Sequence, residues 1–243
     1  MKILALGTSH TFGNCSPEGH ISPENRWTKL LAKDCNAEIT TLSMSGTSFQ
    51  QQAHTVFRYL EDTKNTFDIA IIEGRNMGMY DSSYPKPTTK GNVNLLDYDS
   101  PDHELFYKPW LTNDISVQLD RLLPFQSLQG FSDTEFYKDY VFSPLHFIEC
   151  YFVNLGMCKY LEQYCNKVCW FSMDYPKTPC ENYKSWAWEI MQEYSLGKLE
   201  DGTFEIFINR PPEDRCGCGH PNEQGHRKLA DALRSKLKEI QWI

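Results

Sequence analysis

Short apolar runs of strand length alternate with helix-period segments along this chain, and that alternation restricts it to a narrow set of folds. The runs are KILALG (2–7), AEITTLSM (37–44), FDIAIIEG (67–74) and KVCWFSM (167–173), with FEIFI (204–208) as a fifth. The first and third read as apolar on both faces, so both faces must be covered, as in the middle of a parallel sheet. Between the runs, residues 24–34 carry Trp27, Leu30 and Leu31 on one side. Phe49, Ala53, Val56 and Leu60 then recur at helical spacing behind Ser48, which suits an N-cap. Strands that alternate with helices in this way form parallel sheets wrapped by those helices. The reading is an α/β fold of three layers, α/β/α, around a flavodoxin-like parallel sheet.

Further along, helical patterns cover 113–123, 133–165 (interrupted at Pro144) and 181–195. A last helix begins after Pro221-Asn222, with Leu229, Leu233, Leu237 and Ile240 as its buried stripe. Residues 78–112 are rich in Pro, Asp, Ser, Tyr and Gly without a sustained period, which reads as a long loop or insertion. No linker separates two units. The 243 residues are therefore read as a single domain, 1–243, with an insertion at about 78–135.

Composition narrows the function. Hydrophobic residues at 40% and aromatics at 14% suffice for a sizeable core, while a net charge of −8 without any Lys/Arg cluster argues against nucleic acid or an anionic membrane as partner. MKILALGTSH turns polar too soon for a signal peptide. The most apolar long window, 141–161, contains Pro144, His146, Glu149 and Asn154, so it reads as a core helix and not a membrane span. Nine cysteines without regular spacing point to reduced thiols in a cytoplasmic setting.

In an open parallel sheet, ligands sit beyond the carboxyl ends of the strands. Three strands end there in polar, glycine-containing tips: Gly7-Thr8-Ser9, Ser43-Met44-Ser45-Gly46 and Gly74-Arg75-Asn76. A fourth segment, GHPNEQGHRKLADAL (219–233), brings His220 to the start of the last helix. A hydroxyl, a glycine amide, a carboxamide and an imidazole are the parts of an acyl-transfer site. Each also has a plainer reading. Ser9 suits a turn or N-cap, and His220 a helix start followed by proline. His226 reads as structural, and the spacing of His10 and His20 assigns neither a role. Cys216-x-Cys218 with His220 lacks the second ligand pair of a zinc site, so no metal and no cofactor are expected. The aromatics of ELFYKPW (104–110), with Tyr80, Tyr84 and Tyr98, suit either a sugar-binding cleft or the packing of the insertion.

These blocks together resemble the SGNH hydrolases, also called the GDSL esterase/lipase family. The family's Gly-Asp-Ser block stands here as GTSHTFG, its second-strand glycine block as SMSGTSF, its Gly-x-Asn block as GRN (74–76), and its histidine block as GHPNEQGHRKLA. The resemblance implies that Ser9 is the nucleophile and His220 the general base. It also implies an oxyanion hole made of the Ser9 amide, the Gly46 amide and the Asn76 side chain. The function it implies is hydrolysis of short acyl esters such as O-acetyl groups, including those on carbohydrate. The partner would then be a small-molecule or glycan ester. A long-chain lipase would want an apolar groove, and the insertion is too polar and proline-rich for that.

Two positions depart from the family's pattern: its Asp before the serine is Thr8, and its acid three residues before the histidine is Gly217. A backbone carbonyl or water is therefore expected to orient His220, with Asp214 as the side-chain alternative. The same departures keep open a second reading, a catalytically degenerate domain that binds glycans or serves as a structural or assembly component.

Overall fold

The computed structural model describes residues 1–15, 19–43, 49–74, 144–172, 193–196, 212–217 and 219–243. In chain order its elements are β1 (Lys2–Gly7), α1 (Ser9–Phe12), the short hairpin β2 (Asn14–Cys15) and β3 (Gly19–His20), α2 (Trp27–Asp34), β4 (Glu38–Ser43), α3 (Phe49–Thr63), β5 (Phe67–Gly74), α4 (Pro144–Leu161), β6 (Cys165–Ser172) and α5 (Glu223–Glu239). The four long strands make one sheet in the order β4-β1-β5-β6, every pair parallel. This is the flavodoxin-like order 2-1-3-4, whose direction of growth reverses between β1 and β5.

Alternation along the central strands fills both sides of the sheet. Ile3 and Ala5 of β1, with Ile69 and Ile71 of β5, face a core built with Trp27 and Leu31 of α2 and Leu229, Leu233 and Leu237 of α5. Leu4 and Leu6, with Ala70 and Ile72, face the opposite core, which takes Val56 and Leu60 of α3 and Met157 and Leu161 of α4. Each of the three α5 leucines is fully buried, a contribution of about 2 kcal/mol apiece. Polar ties hold the outer layers in pairs. Arg227 of α5 pairs with Asp34 of α2, and the hydroxyls of Tyr160 and Tyr164 on α4 donate to Glu61 of α3.

Pro144 is the first described residue of α4, and the helical pattern expected before it, at 133–143, lies outside the described residues. Two sequence expectations change. At the end of the expected 181–195 helix, Ser195 bridges Trp170 of β6 in parallel, with Trp170 N–H donating to Tyr194 O at 2.7 Å and Leu196 N–H to Trp170 O at 2.8 Å. Pairing with β6 outcompetes helical propensity there. And β5 is not apolar throughout, because Glu73 is wholly buried in it. The expected insertion at about 78–135, the helices expected at 113–123 and over most of 181–195, and the strand at 204–208 lie outside the described residues. No described helix is long and apolar enough to cross a membrane.

Candidate active site

The turn after β1 sets the first half of the site. Gly7 ends the strand and Ser9 opens α1, with Phe12 N–H donating to Thr8 O at 2.9 Å and Gly13 N–H to Ser9 O at 3.0 Å. Gly13 closes this single turn of helix at φ 80°, in the left-handed region that favours glycine. Gly7 is required for another reason. A Cβ there would lie 2.0 Å from Thr11 Oγ1 and 2.7 Å from Glu73 Oε2. Thr8 occupies the N-cap position but does not cap, because its hydroxyl turns to Glu73 instead. As the first residue of α1, Ser9 has a backbone N–H with no intrahelical acceptor.

The second half comes from the loop before α5. Arg215 and Pro221 form an antiparallel bridge, and Cys216 N–H donates to His220 O at 2.9 Å, so Arg215-Cys216 pairs back on His220-Pro221. Asn222 anchors it. Its side-chain oxygen caps α5 by accepting from Gly225 N–H at 3.0 Å, while its amide donates to Glu213 O at 2.6 Å. His220 Nε2 then stands 2.8 Å from Ser9 Oγ. That is hydrogen-bonding distance for a base and the hydroxyl it would deprotonate. Ser9 itself is only 3% exposed.

Asp214 does not serve His220. Its Oδ2 accepts from Lys228 Nζ of α5 at 2.5 Å, and its Oδ1 is buried without a hydrogen-bond partner. Asp214→Asn is accordingly expected to keep hydrolysis within about threefold of wild type while lowering stability by roughly 1 kcal/mol. Steady-state rates beside melting curves check this; a loss matching that of His220→Ala would make Asp214 the third member of a triad.

Two further histidines pack around the site. The His10 ring lies 4.8 Å from that of His220, tilted by 39°, and its Nδ1 is 3.6 Å from Glu73 Oε1. His226 is buried behind them, where Nδ1 accepts from Trp27 N–H at 3.2 Å, so its proton sits on Nε2. Burial first, and then the nearby His10, Arg26 and His220, push its pKa down to about 3. The unfolded chain takes that proton near 6.5, so this stability is intact above pH 6.5 and is lost as pH falls toward 3. At pH 5 the loss is about 2 kcal/mol, and His226→Gln is expected to flatten the melting temperature between pH 6.5 and 4.5 by one proton's slope.

Of the residues singled out from sequence, Ser9 and His220 are brought together, and His10 and His226 join them. Gly46 and Asn76 lie outside the described residues. Reduced thiols hold for Cys35, Cys158, Cys165 and Cys169, but Cys216 is disulfide-bonded. At Cys216 the expectation of a reduced thiol is thus corrected. Glu73 was missed. An acid that follows the apolar run Ile69–Ile72 inside the strand, directly before the Gly-x-Asn block, was the available signal.

A parallel sheet in this order, wrapped by helices on both faces, is a three-layer α/β fold of the kind found in the SGNH hydrolases. Among solved structures, the chain is similar to TesA, at TM-score 0.52 and 13% identity over 99% of both chains. It is similar also to the psychrotrophic esterase EstA from Pseudoalteromonas sp., at TM-score 0.54 and 12% identity over 99% of this chain and 98% of that one. A third likeness is to the acetyl xylan esterase Est2A from Butyrivibrio proteoclasticus, at TM-score 0.54 and 11% identity, where all of this chain spans 65% of the other. At such identities the likeness is one of fold. No family model matches the sequence, and no curated protein matches it.

Proposed function

We propose that this protein is a serine ester hydrolase acting on short acyl esters, O-acetyl groups on carbohydrate among them. The observation that carries the reading is the 2.8 Å contact between His220 Nε2 and Ser9 Oγ at the carboxyl end of the first strand. Ser9 Oγ attacks the ester carbonyl as its proton passes to His220. The imidazolium returns that proton to the departing alcohol, and a water deprotonated by the same imidazole then releases the acid. The oxyanion is held by the Ser9 N–H, the Gly46 N–H and the Asn76 carboxamide. Losing one such donor costs about 10²–10³ in rate. A backbone carbonyl or water orients His220, since Asp214 is held by Lys228.

The folds it resembles support this class. EstA was solved inhibited by monoethylphosphonate, and Est2A is an acetyl xylan esterase. The test is covalent labelling by a fluorophosphonate probe, with Ser9→Ala as control, followed by aryl esters of increasing chain length. Labelling lost in Ser9→Ala and highest turnover on acetyl to butyryl esters are expected. Activity rising steadily beyond C8 would overturn the short-acyl assignment. The absence of a side-chain acid at Gly217, with Asp214 turned away, favours as second reading a non-catalytic glycan-binding or assembly domain. No labelling under any condition would decide for it.

A further inference from the structure

We propose that Glu73 is the positioning acid of this site, fixing the Ser9 turn through Thr8 and Thr11 and supporting His220 through the ring of His10. The inference rests on the esterase reading. Glu73 lies on β5 beside β1, where the strand order reverses, and is 0% exposed directly after the buried Ile71 and Ile72. A carboxyl in such a place costs several kcal/mol unless donors converge on it.

They do, and all come from α1 and its entry. Thr8 N–H donates to Oε2 at 2.5 Å, Thr8 Oγ1 to Oε1 at 2.8 Å, and Thr11 Oγ1 to Oε2 at 2.9 Å. Thr11 Oγ1 in turn accepts from Trp27 Nε1 at 3.1 Å. Thr8 and Thr11, on either side of Ser9, are thereby tied to one carboxyl group. No lysine or arginine among the described residues pairs with it; its ion-pair contact is His10 Nδ1 at 3.6 Å. The contrast with Asp214, whose charge is taken up by Lys228, is direct. When Ser9 passes its proton to His220, a positive charge appears on a ring that faces His10 at 4.8 Å, with the Glu73 carboxylate behind it. A fixed anion oriented toward a developing cation lowers the barrier without reorganising. The departure at Thr8 has the same origin: a hydroxyl on the turn and an acid on β5 exchange the places that an acid at position 8 would occupy.

The experiment measures kcat, KM, the pH dependence of kcat/KM and probe labelling, each beside a melting curve, for wild type, Glu73→Gln, Thr8→Asp and the double variant. Glu73→Gln is expected to lower kcat by about 10–100-fold with KM within threefold. It is also expected to move the acid limb of kcat/KM down by about one pH unit, since a lost anion makes the imidazolium harder to form. The other ionisable groups around the two rings, His226 on α5 and Arg26 beyond it, are unchanged by the substitution. Thr8→Asp sets a second carboxylate against the first and is expected to lose at least as much. The double variant again holds one acid and is expected to recover about tenfold over Thr8→Asp. A purely packing role for Glu73 would leave the acid limb where it is. A folded Glu73→Gln with wild-type kcat and limb overturns the proposal, while the dead Ser9→Ala keeps the esterase reading. If Glu73→Gln does not fold alone, the comparison of Thr8→Asp with the double variant decides, and no recovery overturns it. A wild type that neither labels nor turns over removes both readings at once.

Discussion

Ser9→Ala is expected to reduce kcat on an acetyl ester by about 10⁴–10⁶-fold, and His220→Ala by a similar factor. In the proposed mechanism the 2.8 Å contact makes the hydroxyl and the imidazole a single proton-transfer unit, so removing either member leaves the other without a task. The double variant should then be no slower than either single one, instead of showing the product of their losses. Neither change should unfold the protein. Ser9 has neighbours that hold the turn without its hydroxyl, and His220 contributes its backbone oxygen, not its ring, to the bond with Cys216. The measurement is kcat for all three variants at matched folded fraction. Multiplying losses would mean that the two residues act in separate steps, and a Ser9→Ala enzyme with a tenth of wild-type activity would place the nucleophile elsewhere.

Gly7→Ala is expected to destabilise the protein by about 3 kcal/mol or more, enough to consume much of the stability of an ordinary domain. One methyl group does this because of where it would go: 2.0 Å from Thr11 Oγ1, 2.3 Å from Thr11 Cβ and 2.7 Å from Glu73 Oε2. Thr11 cannot swing aside, being fully buried and held between Trp27 Nε1 and Glu73. Its β-branched side chain also has few χ1 alternatives. Relief therefore has to come from moving α1 off the sheet, which would carry Ser9 with it. Thr11→Ala should fail to rescue, since its Cβ remains in the way, whereas Thr11→Gly should recover part of the loss. Denaturant titration of the three variants checks this. A Gly7→Ala protein of wild-type stability would show that the turn has slack which the distances do not.

The parts of the fold legible in the sequence were those whose cause is local. β1 and β5 were bounded correctly at 2–7 and 67–74 because a largely apolar run ends in a glycine in each strand. β6 begins two residues before its expected start because Phe67 pairs with Cys165, a partner chosen by the neighbouring strand. Ser195 joins β6 for the same kind of reason: Trp170 of the neighbouring strand recruits it. In the site, Ser9 and His220 stood out through glycines and proline around them, which mark a turn and a helix start. Glu73 did not stand out, since its meaning depends on Thr8, Thr11 and His10 more than sixty residues earlier. Chain reach kept Asp214 open as a partner of His220. Only the packing of α5, which brings Lys228 onto the carboxylate, shows how that acid is used.

Ser9 and His220, the proposed nucleophile and base, are 211 positions apart, and the packing that joins them also links Trp27 to His226 across 199. During synthesis or refolding, a sheet of β4, β1 and β5 can assemble long before α5 exists to dock on α2. Such an intermediate would carry the serine in its turn but no imidazole beside it. Loops closed over that distance are among the last contacts a chain makes. Regain of probe reactivity is thus a clock for the final docking event, and it should lag behind regain of helical signal.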